Sequence, residues 1–89
     1  MAQFTGMDIQ QVRALSAQMD NAANEIGQLA QTLTSRLNET HWVGPDQQRF
    51  VSDWESQHRA QLNNVVEALR NASRLATQNA NEQEQVSNQ

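Results

Sequence analysis

The sequence predicts an all-α fold, an antiparallel hairpin of two long helices within a single domain. Only three glycines and one proline interrupt the 89 residues, so few positions resist helix formation. Apolar residues recur at steps of three and four in two separate stretches, which is the spacing of amphipathic helices. One strong break, at Gly44-Pro45, separates these stretches near the middle of the chain. The expected order over 1–89 is helix 1 at about 6–40, a turn at 41–44, helix 2 at about 45–78 and a disordered polar tail at 79–89.

The start of helix 1 carries a capping signal. Thr5 can cap the helix, and Asp8 follows it three residues later. Phe4 and Ile9 occupy the two positions of a hydrophobic staple. The helix is therefore expected to begin near Gly6 or Met7.

Within helix 1 the apolar residues form a heptad stripe. Its members are Val12, Leu15, Met19, Ala22, Ile26, Leu29 and Leu33. Gly27 interrupts this helix and costs roughly 1 kcal/mol relative to alanine. Either it admits a closely packed backbone, or it is a weak point of the helix.

The break predicts where the second helix begins. Pro45 lacks an amide donor and disfavours helix in the residue before it. It suits the first position of a new helix, with Gly44 as N-cap and Asp46 near the positive helix end. The stripe then resumes at steps of three and four and fades near Gln78, so a frayed tail is expected beyond it. Its members are Phe50, Trp54, His58, Leu62, Val65, Val66, Leu69, Ala72 and Ala76.

These stripes predict a partner chain. Helices of about 30 residues are about 45 Å long, and each has only one neighbour in a lone hairpin. The rest of each stripe then faces water, so two hairpins are expected to pair as a four-helix bundle. The sequence does not separate residues that pack within the hairpin from those that meet the partner. The candidates are Val12, Leu15, Met19, Ile26, Leu29, Leu33, Leu62, Val65 and Leu69.

Composition argues against several functions. A net charge of −4 disfavours binding to nucleic acid or to anionic membrane surfaces. Cysteine is absent, which excludes disulfides and thiolate metal sites. The N-terminal residues lack the basic and apolar regions of a signal peptide, and no stretch is apolar enough to be inserted in a membrane. Any export is expected to use a route that needs no such signal.

Chemistry-bearing residues are few. His41 and His58 lie on opposite sides of the break, without the spacing of a metal site. Ser52, Asp53 and His58 are close in sequence, but one helix points them in different directions. We therefore expect no catalytic, cofactor-binding or metal site, and a non-enzymatic protein that acts through protein–protein interaction.

Trp42, Val43 and Gly44 form a Trp-x-Gly turn between the two helices, followed by Phe50 and Trp54 on the second. In this the chain resembles the WXG family of type VII secretion proteins, the relatives of the early secretory antigenic target, and particularly their actinobacterial branch. The resemblance covers essentially 5–80. It implies a helical hairpin that pairs with itself or a WXG paralogue, without enzymatic activity or cofactors. It also implies secretion as a folded dimer, without a signal peptide, by a machine driven by an FtsK/SpoIIIE-type ATPase.

The chain departs from the family at the export signal. That signal is Tyr-x-x-x-Asp/Glu after helix 2, whereas the candidate for a degenerate signal here, Gln78 and Glu82, has the acid without the ring. A partner chain can supply the signal to a dimer. The alternative is a cytoplasmic adaptor or chaperone that pairs with the helical N-terminus of a larger secreted toxin.

The aromatic residues around the turn allow two interpretations. The rings of Trp42, Phe50 and Trp54 can clamp the turn end of the bundle and leave a groove beside it for docking. The simpler interpretation is that Trp42 plugs the end of the hairpin. In a purely structural, self-assembling bundle it is only filler.

Overall fold

The computed structural model describes residues 7–87. Helix α1 spans Ile9–Glu39 and helix α2 spans Pro45–Asp53. A single π-helical turn, Trp54–His58, joins α2 to helix α3, Arg59–Ser87. α1 forms one arm, and α2, the π-turn and α3 form the other, which packs along the first. The all-α antiparallel hairpin is thus confirmed.

Helix α1 begins slightly later than the sequence predicts. Asp8 is the N-cap, and its carboxylate accepts a hydrogen bond from the Gln11 backbone amide at 3.1 Å. A short acidic side chain suits this position because it satisfies a free amide at the positive helix end. The predicted cap Thr5 and staple residue Phe4 lie outside the described residues. At the other end Thr40 takes an extended conformation and terminates the helix.

The turn has the geometry expected from its sequence. Gly44 is the N-cap of α2 and Pro45 is the first helical residue. Gly44 has φ 128° and ψ 178°, a backbone conformation that side chains with a Cβ rarely adopt. Glycine at this position therefore sets the direction in which the second arm leaves the turn.

The π-turn changes which residues of the second arm face α1. Phe50, Trp54, His58 and Leu62 follow one another at three successive steps of four, which rotates an α-helical stripe by about 120°. In the π-turn the Arg59 amide bonds to the Trp54 carbonyl, five residues back, and this inserts one extra residue. Trp54 and Leu62 consequently both remain against α1, while His58, predicted to lie on the apolar stripe, is exposed.

The predicted disordered tail is wrong for residues 79–87, which continue α3. Ala80 is fully buried against α1. One turn further on, Glu84 forms an ion pair with Arg13 at 3.2 Å. The stretch looked unstructured because it lacks large apolar residues, yet a small one suffices where two helices pack closely.

Small side chains form the seam between the arms. Ser16, Ala23 and Ala30 are buried on α1, and Ser73 and Ala80 are buried on α3. Hydroxyls bridge the seam: Ser16 Oγ donates to the Ser73 carbonyl at 2.9 Å, and Ser73 Oγ donates to the Ser16 carbonyl at 2.9 Å. No large side chain of the described residues is fully buried. The hairpin therefore buries little apolar surface by itself.

The molecule is correspondingly elongated. Its extents are 66 × 17 × 16 Å and its radius of gyration is 19.8 Å, whereas a compact chain of this length has a radius of about 12 Å. Its accessible surface is 6564 Å². A compact monomer of its mass exposes about 5,200 Å². A lone hairpin thus leaves about 1,300 Å² more surface in water than a compact fold does.

Candidate interaction surface

The buried seam defines two sides of the hairpin. Ser16, Ala23 and Ala30 are buried at intervals of seven, so residues seven apart lie in rows that follow the hairpin axis. The same spacing relates Ser73 and Ala80 on the other arm. Two antiparallel helices are related by a two-fold axis that is perpendicular to the plane containing both helix axes. This symmetry places equivalent rows of the two helices on the same side of that plane.

The rows that follow the seam by four residues form what we term the polar side. Its residues on α1 are Arg13, Asp20, Gly27 and Thr34, and those on α3 are Arg70, Thr77 and Glu84. Polar contacts here connect the arms: Arg13 pairs with Glu84 at 3.2 Å, and Arg70 donates to Asn24 Oδ1 at 3.0 Å. The polar groups of this side are thus satisfied by water or by the other arm.

We term a second surface of the hairpin the apolar side. It contains the positions that come one residue before the seam residues in the sequence, together with the neighbouring row of α3. Its apolar members are Leu15, Ala22 and Leu29 on α1 and Val65, Ala68, Ala72 and Leu75 on α3. The large residues are far from buried: Leu15 is 49% exposed, Leu29 61%, Val65 45% and Leu75 57%. Leu33, at 51%, continues this surface toward the turn. These side chains are aligned along the hairpin rather than scattered over its surface, which makes this side a candidate interaction surface.

This division separates the candidate stripe residues. Val12, Met19, Ile26, Leu62 and Leu69 are half-buried between the arms, whereas Leu15, Leu29, Leu33 and Val65 are exposed. Leu75 and Ala68 also belong to the exposed set and were missed from the sequence. A second row of apolar residues beside the main stripe of α3 was the available signal.

The turn leaves its own residues accessible. The Trp42 ring packs on Phe50 with centroids 5.6 Å apart and planes tilted by 53°. Trp42 is nevertheless 41% exposed, Phe50 49% and Val43 83%. This chain alone therefore does not enclose Trp42 in its turn.

Trp54 ties the arms together at the same end. Its indole Nε1 donates to Thr34 Oγ1 at 2.7 Å, and Thr34 Oγ1 donates to the Ala30 carbonyl at 2.8 Å. The ring lies near that of His58, with centroids 6.4 Å apart. Trp54 is half-buried, so it has a structural role within the hairpin that Trp42 lacks.

A mainly apolar groove of about 290 Å³ lies beside these aromatic residues. Its lining consists of Leu33, Arg36, Leu37, Thr40, Phe50 and Trp54. Leu33 is common to the groove and to the exposed surface that extends from the apolar side. The two therefore form one continuous surface from the middle of the hairpin to its turn end.

The residues considered for an export signal lie on the solvent face of α3. Gln78 Nε2 donates to Glu82 Oε1 at 3.3 Å, the contact expected for positions i and i+4 of a helix. Both side chains are exposed, and Asn79 and Val86 lie near Glu82 around a shallow depression. Gln78 and Glu82 therefore lie within helix α3 and not on an unstructured tail.

The residues considered for chemistry are not brought together. His58 contacts Trp54, and the carbonyl of Ser52 accepts a hydrogen bond from Ser56 Oγ. Within 7–87 there is no cluster of three His, Cys, Asp or Glu side chains with metal-binding geometry. None of the described helices is long and apolar enough to cross a bilayer. Comparisons with known protein families, with curated proteins and with solved structures return no match to this chain.

Proposed function

We propose that this chain is a non-enzymatic pairing protein of type VII secretion. In this role it is a substrate or co-substrate that leaves the cytoplasm as a folded complex with a second hairpin, either another copy or a WXG paralogue. The single observation that carries the proposal is the exposed apolar side of an elongated hairpin. That surface continues to a Trp-Val-Gly turn.

The pairing part of the proposal follows from surface energetics. Each exposed leucine or valine that becomes buried contributes about 1–2 kcal/mol. Four such residues on the apolar side, with Leu33 beside them, contribute a free energy of the same order as the entropic cost of association. The polar side, where Arg13 already pairs with Glu84 and Arg70 already reaches Asn24, gains little from being covered.

The secretion part rests on the turn. Trp42 and Val43 are exposed at the turn end of the hairpin, directly before Gly44 and Pro45, which begin α2. A large aromatic ring beside an apolar groove is the kind of anchor that a partner pocket can enclose. We propose that the FtsK/SpoIIIE-type secretion ATPase or an associated component recognises this end.

The test compares export in cells with and without that ATPase. The tagged chain is expressed alone and with its neighbouring paralogue, and the culture supernatant is assayed alongside a cytoplasmic marker for lysis. ATPase-dependent release is expected, and Trp42→Ala should abolish it without changing the complex mass. Gln57→Ala, a substitution at an exposed residue of the π-turn, is the control. Retention inside the cell under both expression conditions would refute the secretion proposal.

The missing aromatic ring before Glu82 favours one second candidate, a cytoplasmic adaptor for a larger toxin. Pull-down from the native cell separates the two. Recovery of a long protein with a helical N-terminus supports the adaptor. Recovery of small hairpins alone supports the co-substrate.

A further inference from the structure

We propose that a buried hydroxyl cluster, formed by Ser16, Ser73 and Thr77, selects the packing of the two arms that keeps the apolar side facing outward. The cluster fixes the rotation of each arm about its own axis. Without it, both arms rotate by one row of residues and turn part of the apolar side toward the seam. This device acts within a single chain and goes beyond the proposed function.

The three hydroxyls of the cluster are connected by hydrogen bonds across the arms. Ser16 Oγ donates to the Ser73 carbonyl at 2.9 Å, and Ser73 Oγ donates to the Ser16 carbonyl at 2.9 Å. Both serine protons are then in use, so Thr77 Oγ1, 2.6 Å from Ser16 Oγ, is the donor in that contact. Ser16 and Ser73 are the two buried polar residues of 7–87. The cluster thus joins the arms where water does not compete for the bonds.

These bonds require a close approach of the two helices. A serine Oγ lies only one bond beyond Cβ, so it reaches the facing carbonyl only where the two backbones are near each other. Ala23, Ala30 and Ala80 are buried in the same seam and end at Cβ, so they fit between the arms at this distance. Large side chains in the seam would hold the arms further apart and break the cluster.

The apolar stripe of each arm extends from the seam toward the apolar side. Residues three apart in sequence differ by one row, about 50° around a helix whose rows repeat every seven residues. We term the first row beyond the seam the middle row and the next one the outer row. On α1 the seam, middle and outer rows are Ser16, Ala23 and Ala30; Val12, Met19, Ile26 and Leu33; and Leu15, Ala22 and Leu29. On α3 they are Val66, Ser73 and Ala80; Leu62, Leu69 and Ala76; and Val65 and Ala72.

Hydrophobic burial alone favours a different rotation of the arms. Most of the large apolar side chains are in the middle rows, so burial is greatest when the middle rows face each other. In the structure the seam rows face each other instead, and the outer-row residues Leu15 and Leu29 are 49% and 61% exposed. Both arms are offset by one row in the same direction. The offset therefore needs a cause other than apolar contact.

The hydroxyl cluster provides that cause. Rotation of the arms by one row would carry Ser16 and Ser73 away from each other's carbonyls while it improved apolar contact. The ion pair of Arg13 with Glu84 favours the observed rotation too, but exposed ion pairs of this kind are weak. Buried polar groups can select one packing among several of similar stability. The apolar side is consequently ready for a partner, because the arms need not rotate before it is covered.

Cysteine reactivity tests the rotation, because the chain contains no cysteine of its own. Ala22→Cys reports on the outer row and Gly27→Cys on the polar side, each with the native serines and with Ser16→Ala/Ser73→Ala. Alanine keeps the seam narrow and favours helix, so the variants should fold, which circular dichroism checks. Maleimide alkylation is measured on the full chain at several protein concentrations. Extrapolation of the rates to low concentration removes any protection by pairing.

Loss of the cluster should change the two rates in opposite directions. Rotation by one row moves position 22 toward the seam and position 27 away from it. The Ala22→Cys thiol should react about threefold more slowly, the value for a rotated packing populated to about two thirds. The Gly27→Cys thiol should react faster. Ser35→Ala/Ser52→Ala removes two exposed hydroxyls, one on each arm, and is the matched control that should change neither rate.

Only opposite changes that are confined to the cluster variant support the selection of packing by the hydroxyls. A hairpin that merely loosens would expose both thiols and accelerate both reactions, which overturns the proposal. Unchanged rates, or equal changes in the Ser35→Ala/Ser52→Ala control, also overturn it. The measurement requires neither export nor a partner chain, so its result is independent of the proposed function.

Discussion

The two sides of the hairpin use the same helices for opposite purposes. On the polar side Arg13 pairs with Glu84 across the arms, and Arg70 reaches across to the adjoining Asn24. On the apolar side Leu15, Leu29, Val65 and Leu75 contact little and remain about half exposed or more. The hairpin therefore covers or pairs its own side chains on one side far more than on the other. A partner is expected to change the apolar side and leave the other untouched.

The largest effect is expected from placing a charge on the apolar side. Leu29→Asp should abolish dimerisation, because an unpaired carboxylate in a covered interface costs several kcal/mol. Helical content should be retained, since Leu29 is 61% exposed in the hairpin itself. Analytical ultracentrifugation and circular dichroism measure the two properties. Leu33→Asp is expected to act in the same direction.

Gln31→Asp is the matched control for Leu29→Asp. Gln31 is an exposed residue of the same helix, two positions away and outside the apolar side. Its replacement adds the same charge and should leave the dimer mass unchanged. If Leu29→Asp keeps the wild-type mass, or Gln31→Asp loses it equally, the assignment of sides is wrong.

The next prediction compares two neighbouring alanines, one in the seam and one on the apolar side. Ala23 is fully buried between the arms, so Ala23→Leu should force them apart and cost about 1–3 kcal/mol of hairpin stability. Its neighbour Ala22 is half-buried on the apolar side, so Ala22→Leu should chiefly weaken pairing. Thermal denaturation at several protein concentrations distinguishes the two, since only a pairing defect depends on concentration. Identical behaviour of both variants would contradict the seam.

These neighbouring alanines show what could be predicted from sequence. The two helices and the break at Pro45 follow from local chemistry, because proline and glycine act on their own backbone. The division of the stripe between the seam and the apolar side does not follow from local chemistry, because the sequence pattern alone allows a large residue such as Leu15 to be buried in the seam as readily as Ser16. Close approach of small side chains places Ser16, Ala23 and Ala30 inside, and that choice depends on both arms at once.

Two features of the second arm were also not predicted from the sequence: the helical order of residues 79–87 and the π-turn. Order at 79–87 was missed because it depends on Ala80 and Glu84 meeting α1, which no local pattern of α3 reveals. The π-turn has a signal in the three successive steps of four from Phe50 to Leu62. Such a run cannot stay on one face of a regular α-helix, so an inserted residue could have been expected.

A smaller effect distinguishes the two tryptophans. Trp54→Phe removes the indole donor to Thr34 and should cost about 1 kcal/mol of hairpin stability, the worth of one hydrogen bond. Thr34 keeps its bond to the Ala30 carbonyl, so no buried donor is orphaned. Trp42→Phe removes no hydrogen bond recorded for the described residues and keeps an aromatic ring on Phe50. Urea denaturation should therefore shift for Trp54→Phe and barely for Trp42→Phe; the reverse order would contradict their assigned roles.

The smallest effect is expected from a substitution at Gly27, which tests whether the polar side remains uncovered by a partner. Gly27 belongs to that side, and a Cβ added there would meet nothing within 4 Å. Close backbone packing within the hairpin therefore does not require this glycine. Gly27→Ala should stabilise the helix by about 0.5–1 kcal/mol, because alanine loses less backbone entropy. In a chain of this size that raises Tm by about 2–8 °C.

The same substitution also reports on what covers the polar side. With the partner on the apolar side, the added methyl group of Gly27→Ala stays in water and the dimer mass and dissociation constant remain those of the wild type. If a second hairpin instead packed closely over Gly27, the methyl group would collide with its backbone. Association would then weaken even as the isolated helix became more stable. Higher Tm with unchanged association is thus the combination that only an open polar side produces, whereas a loss of affinity would move the interface to the opposite side of the hairpin.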